Sequence, residues 1–184
     1  MTRQATRRRA QSLTWPPFPL TERRRDIVSL VTTPPVLLRP ITDAEYPSWM
    51  ERTAASFAAA VGPARGLTPD EALAVAYEET EKHLPEGPAT DQQLIWIAVA
   101  EDKPVGSLWI STKSNVPFIY GIEVDSGQRG KGYGRAIMLA GEEECRRLGY
   151  KQLELNVFGD NTTAIGLYDS LGYAVISQQM RKDL

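Results

Sequence analysis

The chain has 184 residues, of which 42% are hydrophobic and 24% are charged, and its formal net charge is −2. This balance is typical of a globular domain and excludes a disordered or collagen-like chain. A single cysteine, Cys145, and a single histidine, His83, exclude an internal disulfide framework, a Cys/His zinc cluster and a site built from several histidines, so we expect no metal.

Residues 1–34 are predicted to form a basic arm ahead of one folded domain, residues 35–184. The arm contains seven arginines, and its segment Trp15-Pro16-Pro17-Phe18-Pro19 precludes a regular helix because proline lacks an amide donor. The arm is interpreted either as a tail that binds nucleic acid, or as a solvated extension or a strap over a neighbouring subunit, and the second pair of interpretations is favoured. No apolar run approaches the ~18–20 residues of a membrane span, so we expect a cytoplasmic protein without membrane or nucleic-acid partners.

The predicted elements begin with one strand and two helices. They cover residues 36–41, 42 or 43 to 61, and 68–84. Gly62-Pro63 is expected to end the first helix, whose cap is Thr42 or Asp43. Thr68, followed by proline and two acids, is a strong signal for the start of the second helix.

The remaining elements alternate between strands and helices. Three apolar runs predict a meander, which is followed by a charged helix, a strand, a short helix and a last strand. These elements cover residues 94–100, 105–111, 118–124, 132–148, 153–157, 162–171 and 173–177. Gly149 and Gly172 are expected to end the two helices. The order of elements predicts a mixed α/β sheet.

A glycine-rich segment joins the third strand of the meander to the next helix. Residues 124–135, Val-Asp-Ser-Gly-Gln-Arg-Gly-Lys-Gly-Tyr-Gly-Arg, contain four glycines and three cations. Glycines let backbone amides approach a ligand closely, and the first amides of a helix lack internal partners at the positive end of its dipole. The segment is predicted to bind phosphate or pyrophosphate. Its spacing fits neither the dinucleotide-binding fingerprint nor the phosphate loop of NTPases.

Two segments carry the most specific pattern. The first is Arg129-Gly130-Lys131-Gly132-Tyr133-Gly134, and the second runs from Asn161 to Tyr168 and is followed by Gly172-Tyr173. On these residues the chain resembles the GNAT superfamily of acetyl-CoA-dependent N-acetyltransferases, whose loop Gln/Arg-x-x-Gly-x-Gly/Ala holds the coenzyme A pyrophosphate. The resemblance covers residues 35–184. It implies a mostly antiparallel mixed sheet, splayed between the fourth and fifth strands and flanked by about four helices.

The resemblance also implies where acetyl-CoA binds and which residue acts as the acid. The cosubstrate would lie in the splayed gap as an additional strand, bonded to the backbone around Val124 and Ser126. Gly121 suits the bulge that opens the sheet. Asn161 would bond the cofactor arm, and Tyr168, with an ordinary pKa of about 10, would donate a proton to the departing thiolate. The diphosphate would be held by Arg129, Gly130, Lys131, Gly132, Tyr133, Gly134 and Arg135.

The general base is left open between two interpretations. Glu123 lies in an apolar strand, where burial raises the affinity of a carboxylate for a proton. Alternation places it opposite Tyr120, Ile122 and Val124. It is equally well an exposed or ion-paired residue, since water often replaces the base in relatives. Asn156 stands where relatives often carry glutamate.

The predicted function is transfer of an acetyl group from acetyl-CoA directly to an amine, first of all a small molecule. The alternatives are a protein N-terminal or lysine acetyltransferase and a catalytically silent acyl-CoA-binding module. The acceptor pocket is expected from residues 43–92 and 112–118. A homodimer through the last strand or the arm is a further prediction.

Several other side chains, in the expected acceptor region and outside it, have two interpretations each. The glutamates at 78, 79, 81 and 86 favour a cationic amine, or they only solvate a helix face. Trp49, Trp96 and Trp109 line the pocket or, in the favoured interpretation, fill the core. His83 either contacts the substrate or, in the favoured interpretation, is a surface residue of its helix, and Cys145 is interpreted as a packed residue rather than a catalytic one.

Overall fold

The computed structural model describes residues 33–182, so the predicted arm lies outside the described residues except at residues 33 and 34. The described chain forms five strands and four helices, together with two short 3-10 turns. In chain order they are β1 (Leu37–Pro40), α1 (Tyr46–Arg65), α2 (Pro69–His83), β2 (Gln93–Ala100), β3 (Lys103–Ser111), β4 (Phe118–Val124), α3 (Tyr133–Arg147), β5 (Glu154–Leu155) and α4 (Thr162–Leu171). None of these helices is long and apolar enough to cross a bilayer.

The strands form one sheet in the order β1-β2-β3-β4-β5. Strands β1 to β4 are antiparallel neighbours, whereas β5 lies parallel to β4. The mixed, mostly antiparallel sheet with four helices is the fold that the resemblance implied. The connection between β4 and β5 runs through α3, as parallel strands require a crossover.

Helices cover both faces of the sheet. On one face α3 and α4 pack against a large apolar cluster that includes Trp96 and the fully buried Leu108 and Ile137. On the other face α1 places Trp49 against Trp109. The favoured prediction for the three tryptophans is confirmed, since all of them are buried.

The first helix extends beyond its predicted end. Gly62 and Pro63 lie inside α1, which stops at Gly66 in the left-handed conformation, where Leu67 N–H donates to Gly62 O at 3.0 Å. A Cβ on Gly62 would lie 3.1 Å from that of Ala72. The predicted stop was wrong because this glycine permits α2 to approach α1 closely.

The start of α1 was also predicted too early. Its N-cap is Glu45 rather than Thr42 or Asp43. The Glu45 carboxylate accepts hydrogen bonds from the Arg39 guanidinium at 2.6 and 2.8 Å and from the Thr42 hydroxyl at 2.7 Å. The Thr42 hydroxyl therefore donates to the carboxylate that Arg39 holds instead of capping a helix, and the helix begins at Tyr46.

The predicted last strand, residues 173–177, is absent from the described sheet. Val175 and Ile176 are 81% and 78% exposed. A strand needs a partner edge, and β5 offers only two residues. The apolar pattern of this segment was therefore misleading, because a strand forms only where neighbouring backbone is available to pair with it.

Candidate active site

The sheet opens between β4 and β5. Strand β4 has seven residues, but β5 pairs with it only at Phe118 and Ile119. Asp125 N–H donates to β3 at 3.0 Å, and the alternation of an antiparallel pair then directs the backbone groups of Ile122 and Val124 away from β3. These groups face the opening, where an extended ligand can pair with them as an additional strand.

A β-bulge lies at the point where the two strands part. Trp109 pairs with Gly121, and the following residue, Ile110, pairs with Ile119, so Tyr120 is the extra residue of β4. The bulge expected beside Gly121 is confirmed. It turns Tyr120 to the face that α1 and α2 cover, where its ring stacks on Trp109 at 4.8 Å.

Glu123 lies on the same face as Tyr120. It pairs with Ser107 of β3, while Ile122 and Val124 pack on the opposite face, in the cluster under α3. The prediction that Glu123 opposes Ile122 and Val124 is confirmed, but the prediction that it opposes Tyr120 was wrong. The bulge adds one residue and so reverses the alternation between the two positions. Glu123 is half-buried and lines the cleft.

The loop after β4 presents amides without helical partners. The 3-10 turn Ser126–Gln128 is followed by Gly130 and Gly132, whose φ angles are +77° and +87°. Gly132 is the N-cap of α3 and makes no side-chain cap, and the first helical bond runs from Ala136 N–H to Gly132 O. The amides of residues 133–135 are therefore available at the positive end of a 15-residue helix, which is an arrangement suited to a phosphate group.

The three cations of this loop have protein partners. Arg129 Nε donates to Val124 O at 3.2 Å. Lys131 Nζ donates at 2.9 Å to two oxygens of the Ser126–Gln128 turn. The Arg135 guanidinium donates to a serine hydroxyl of α4. Each bond uses only part of the side chain's donors, so the cations brace the loop and keep their charge beside the helix terminus.

Two further loop residues contribute to packing. A Cβ on Gly134 would lie 3.4 Å from Leu167 Cδ2 and 3.8 Å from Val124 Cγ2, which are ordinary contact distances, so α4 and β4 pack on the first turn of α3 at a spacing that alanine would also allow. Tyr133 is half-buried and packs on the apolar cluster of that face. The contribution of both residues to ligand binding stays a prediction.

Helix α4 carries the second sequence motif. Asn161 is its N-cap, with Oδ1 accepting from Ala164 N–H at 3.1 Å. The cap leaves the donor side of the Asn161 amide exposed. Tyr168 is 8% exposed, and its ring lies 5.8 Å from that of Tyr173. Burial raises the pKa of Tyr168 and so favours the protonated phenol. Asn161 and Tyr168 line the cleft together with the loop and β4.

Helices α1 and α2 line the other side of the cleft. His83, the last residue of α2, has its ring 4.4 Å from the Tyr120 ring. Burial, and next the charge of Lys113, lower the pKa of His83. His83 is partly exposed, as a surface residue of its helix would be, and it also contacts the bulge residue Tyr120 because α2 ends directly beside it. The pattern of α2 alone carried no signal for this contact.

The charges on this side are largely paired. Glu79 binds Arg65 at 2.9 Å, and Glu78 binds Lys82 at 2.7 Å. Half of the four glutamates that favoured a cationic acceptor are thus neutralised. Cys145 is buried in α3, as its interpretation as a packed residue required. Within residues 33–182 no three His, Cys, Asp or Glu side chains are grouped as metal ligands.

Comparisons with known proteins agree with this geometry. Residues 64–173 match the model of the acetyltransferase (GNAT) family. The uncharacterized N-acetyltransferase YycN of Bacillus subtilis is 29% identical over 154 residues, which are 81% of this chain and 99% of that protein. Its crystal structure has a TM-score of 0.77, with 28% identity over 81% of this chain and 98% of that one.

Two further similarities extend to more distant proteins. A mycothiol acetyltransferase of Nocardiopsis dassonvillei is 32% identical over 152 residues, and the match covers 76% of this chain but 43% of that protein. The structure of AAC(6')-Iy in complex with a bisubstrate analogue containing CoA has a TM-score of 0.52 and 18% identity, covering 81% of this chain and 97% of that one. This second similarity concerns the fold alone.

Proposed function

Because the chain belongs to the acetyltransferase (GNAT) family, we propose that it transfers the acetyl group of acetyl-CoA directly to the nitrogen of a small-molecule amine. One observation carries the proposal: the free backbone edge of β4 leads from the bulge to the amides at the start of α3. An extended ligand with a diphosphate at one end fits this arrangement. A cytoplasmic location and a homodimer stay predictions.

The residues present fit acetyl-CoA at both ends of this path. The amides of residues 133–135 would hold the diphosphate, with the charges of Arg129, Lys131 and Arg135 around it. The backbone groups of Ile122 and the N–H of Val124, whose carbonyl already accepts from Arg129 Nε, would pair with the pantetheine arm, and the exposed Asn161 amide would bond the same arm. When bound, acetyl-CoA supplies the acetyl group as a thioester.

Tyr168 is the proposed general acid. Its phenol lies in the cleft, and the burial that raises its pKa also keeps the proton available at neutral pH. A protonated group is what the departing sulfur requires, since a thiolate must gain a proton to leave as a thiol. Glu123 stays a proposed base, supported by its half-buried position in the cleft.

The small-molecule acceptor is supported by the name of a relative. Mycothiol acetyltransferase is named for a small thiol-containing compound, although this chain spans less than half of that protein. Transfer to a protein amino terminus or lysine is the alternative within the same chemistry. A silent acyl-CoA-binding module is the alternative outside it, and the presence of both Asn161 and Tyr168 speaks against it.

Calorimetry and thiol release test the proposal together. Acetyl-CoA should bind the wild-type protein with measurable heat, and coenzyme A release should require an amine from a panel of small amines and peptides. Tyr168→Phe should lower kcat by about 10²–10⁴-fold, the usual contribution of a general acid, while binding stays intact. The matched control is Tyr77→Phe, which removes a phenol from the interior of the α1–α2 pair.

Each contrary result has a distinct meaning. Absence of binding heat at millimolar acetyl-CoA would overturn the proposal. Tight binding without turnover on any amine would favour the silent module. Turnover only with peptides would favour the protein acetyltransferase. Equal kcat values for the Tyr168→Phe and Tyr77→Phe variants would remove Tyr168 as the acid.

A further inference from the structure

His83 is held at the end of α2 by aromatic side chains from the sheet. Its ring centroid lies 4.4 Å from that of Tyr120 and 6.1 Å from that of Trp109. Tyr120 in turn stacks on Trp109 at 4.8 Å and meets Phe118 at 5.1 Å. Two aromatic rings therefore contact the imidazole, a third packs on Tyr120, and His83 also lines the cleft.

This position corresponds to the acetyl end of the proposed ligand path. The diphosphate site lies beyond Val124, and Tyr120 is the bulge residue where β4 and β5 part. A strand advances ~3.3 Å per residue, and the bulge absorbs one of the three steps between Glu123 and Tyr120, so Tyr120 lies about 7 Å farther from the loop than Glu123. Glu123 thus lies beside the arm of the ligand near the loop, whereas His83 lies beside its far end.

The surroundings of the imidazole favour its neutral form. Burial is the main cause that lowers the pKa of His83. The positive charge of Lys113, on the connection before β4, lowers it further. Glu79 of the same helix acts in the opposite direction, but it is paired with Arg65 of α1 at 2.9 Å. From the side of β5, Glu154 shares a surface pocket with Tyr120. A neutral imidazole has a lone pair with which to accept a proton.

We propose that His83, rather than Glu123, is the group that accepts the proton of the amine acceptor, an inference that rests on the proposed function. The acceptor enters as an ammonium: one of its N–H bonds breaks, the electron pair of that bond stays on nitrogen, and the imidazole lone pair forms the new N–H bond, which leaves a neutral amine and an imidazolium. The retained pair is then free to bond the acetyl carbon. The imidazolium returns its proton to water after each turnover. The acceptor class that fits this wall is an amine with an apolar or aromatic body beside its nitrogen, since Tyr120 and Phe118 line the approach.

Nuclear magnetic resonance can follow this residue directly because it is the only histidine. In tag-free protein labelled in histidine, the imidazole resonances should titrate below the ordinary pKa of about 6.5. In protein saturated with coenzyme A, addition of tyramine should shift them. Spermidine, which has no aromatic body, should shift them less. If tyramine did not shift the imidazole resonances, the inference would be overturned, and this result would not depend on any measurement of turnover.

Kinetics supply the second readout. With tyramine, kcat/KM of the wild type should fall as the pH drops through the pKa of His83, because the protonated imidazole cannot accept a proton. His83→Gln should lose this acidic limb and lower kcat by about 10²-fold or more. Added imidazole should partly restore the kcat of the His83→Ala variant. The control, Lys82→Gln, changes the neighbouring exposed residue and should leave the profile unchanged.

The outcomes separate the inference from the function on which it rests. Turnover by the wild type with an unchanged pH profile in His83→Gln would overturn the inference alone. Loss of stability in that variant with the acidic limb retained would indicate a packing role and overturn it equally. No turnover by the wild type with any amine would overturn both the inference and the proposed enzyme.

Discussion

Replacement of Gly132 by alanine tests the loop at its most constrained position. Gly132 caps α3 with φ of +87°, and a Cβ there would lie 3.2 Å from Pro34 Cδ. Gly130 has φ of +77°, but no heavy atom lies within 4 Å of its added Cβ. Gly134 has no left-handed φ, and its nearest contact is the ordinary 3.4 Å to Leu167. The three alanine variants therefore separate backbone strain from steric contact.

The magnitudes follow from these differences. A non-glycine residue in the left-handed region costs ~1–2 kcal/mol, and for a chain of this size each kcal/mol lowers Tm by about 2–4 °C. The Gly130→Ala substitution should therefore lower Tm by about 2–8 °C. The Gly132→Ala substitution should lower Tm by more, because Pro34 must also move. Gly134→Ala should keep or gain stability, since alanine is the better helix former.

The affinity for acetyl-CoA should depend on the positions of the amides that follow Gly132, and not on the stability of the protein alone. A shift of Gly132 misplaces the amides that follow it, and a hydrogen bond to a charged group contributes about 1.5–3 kcal/mol, so Kd should rise by about 10–100-fold. Thermal unfolding followed by circular dichroism and calorimetry with acetyl-CoA measure the two effects. If Gly132→Ala had the Tm and Kd of the wild type, the assignment of this loop as the diphosphate site would be refuted. The same would follow if Gly134→Ala lost as much stability and affinity as Gly132→Ala.

Two stability predictions concern residues outside the cleft. Arg39 above all, and next Thr42, hold the pKa of Glu45 at about 2. Because the unfolded value is about 4.3, this stabilisation is present above about pH 4.3 and is lost as the pH falls toward 2. Glu45→Gln should therefore lower Tm at pH 7 and change it little at pH 2; an equal loss at both values would contradict this. An added Cβ on Gly141 of α3 would clash with buried Leu108, so Gly141→Ala should cost ~1–3 kcal/mol in urea unfolding. A loop variant, Gly159→Ala, should cost nothing measurable, because its added Cβ meets no atom within 4 Å.

Local sequence signals determined most of the secondary structure and the shape of the glycine-rich loop before α3. Thr68 and Glu71 form the capping box that begins α2, and Gly172 ends α4 in the left-handed conformation. These features depend on residues within one turn of the chain, so the sequence contains all the information that they require. The positive φ angles of Gly130 and Gly132 belong to the same class.

Features that depend on distant contacts required the tertiary structure. Gly62-Pro63 is a local signal for a helix end, yet both residues lie inside α1, where α2 packs so closely that a Cβ on Gly62 would lie 3.1 Å from that of Ala72. Tyr120 changes face because β3 pairs around it, and no pattern within β4 encodes that bulge. His83 is polar and ends a charged helix, yet the path of α2 carries it to the opening of the sheet. A residue's local pattern reports its own backbone preferences, whereas its chemical surroundings are set by the elements that pack against it.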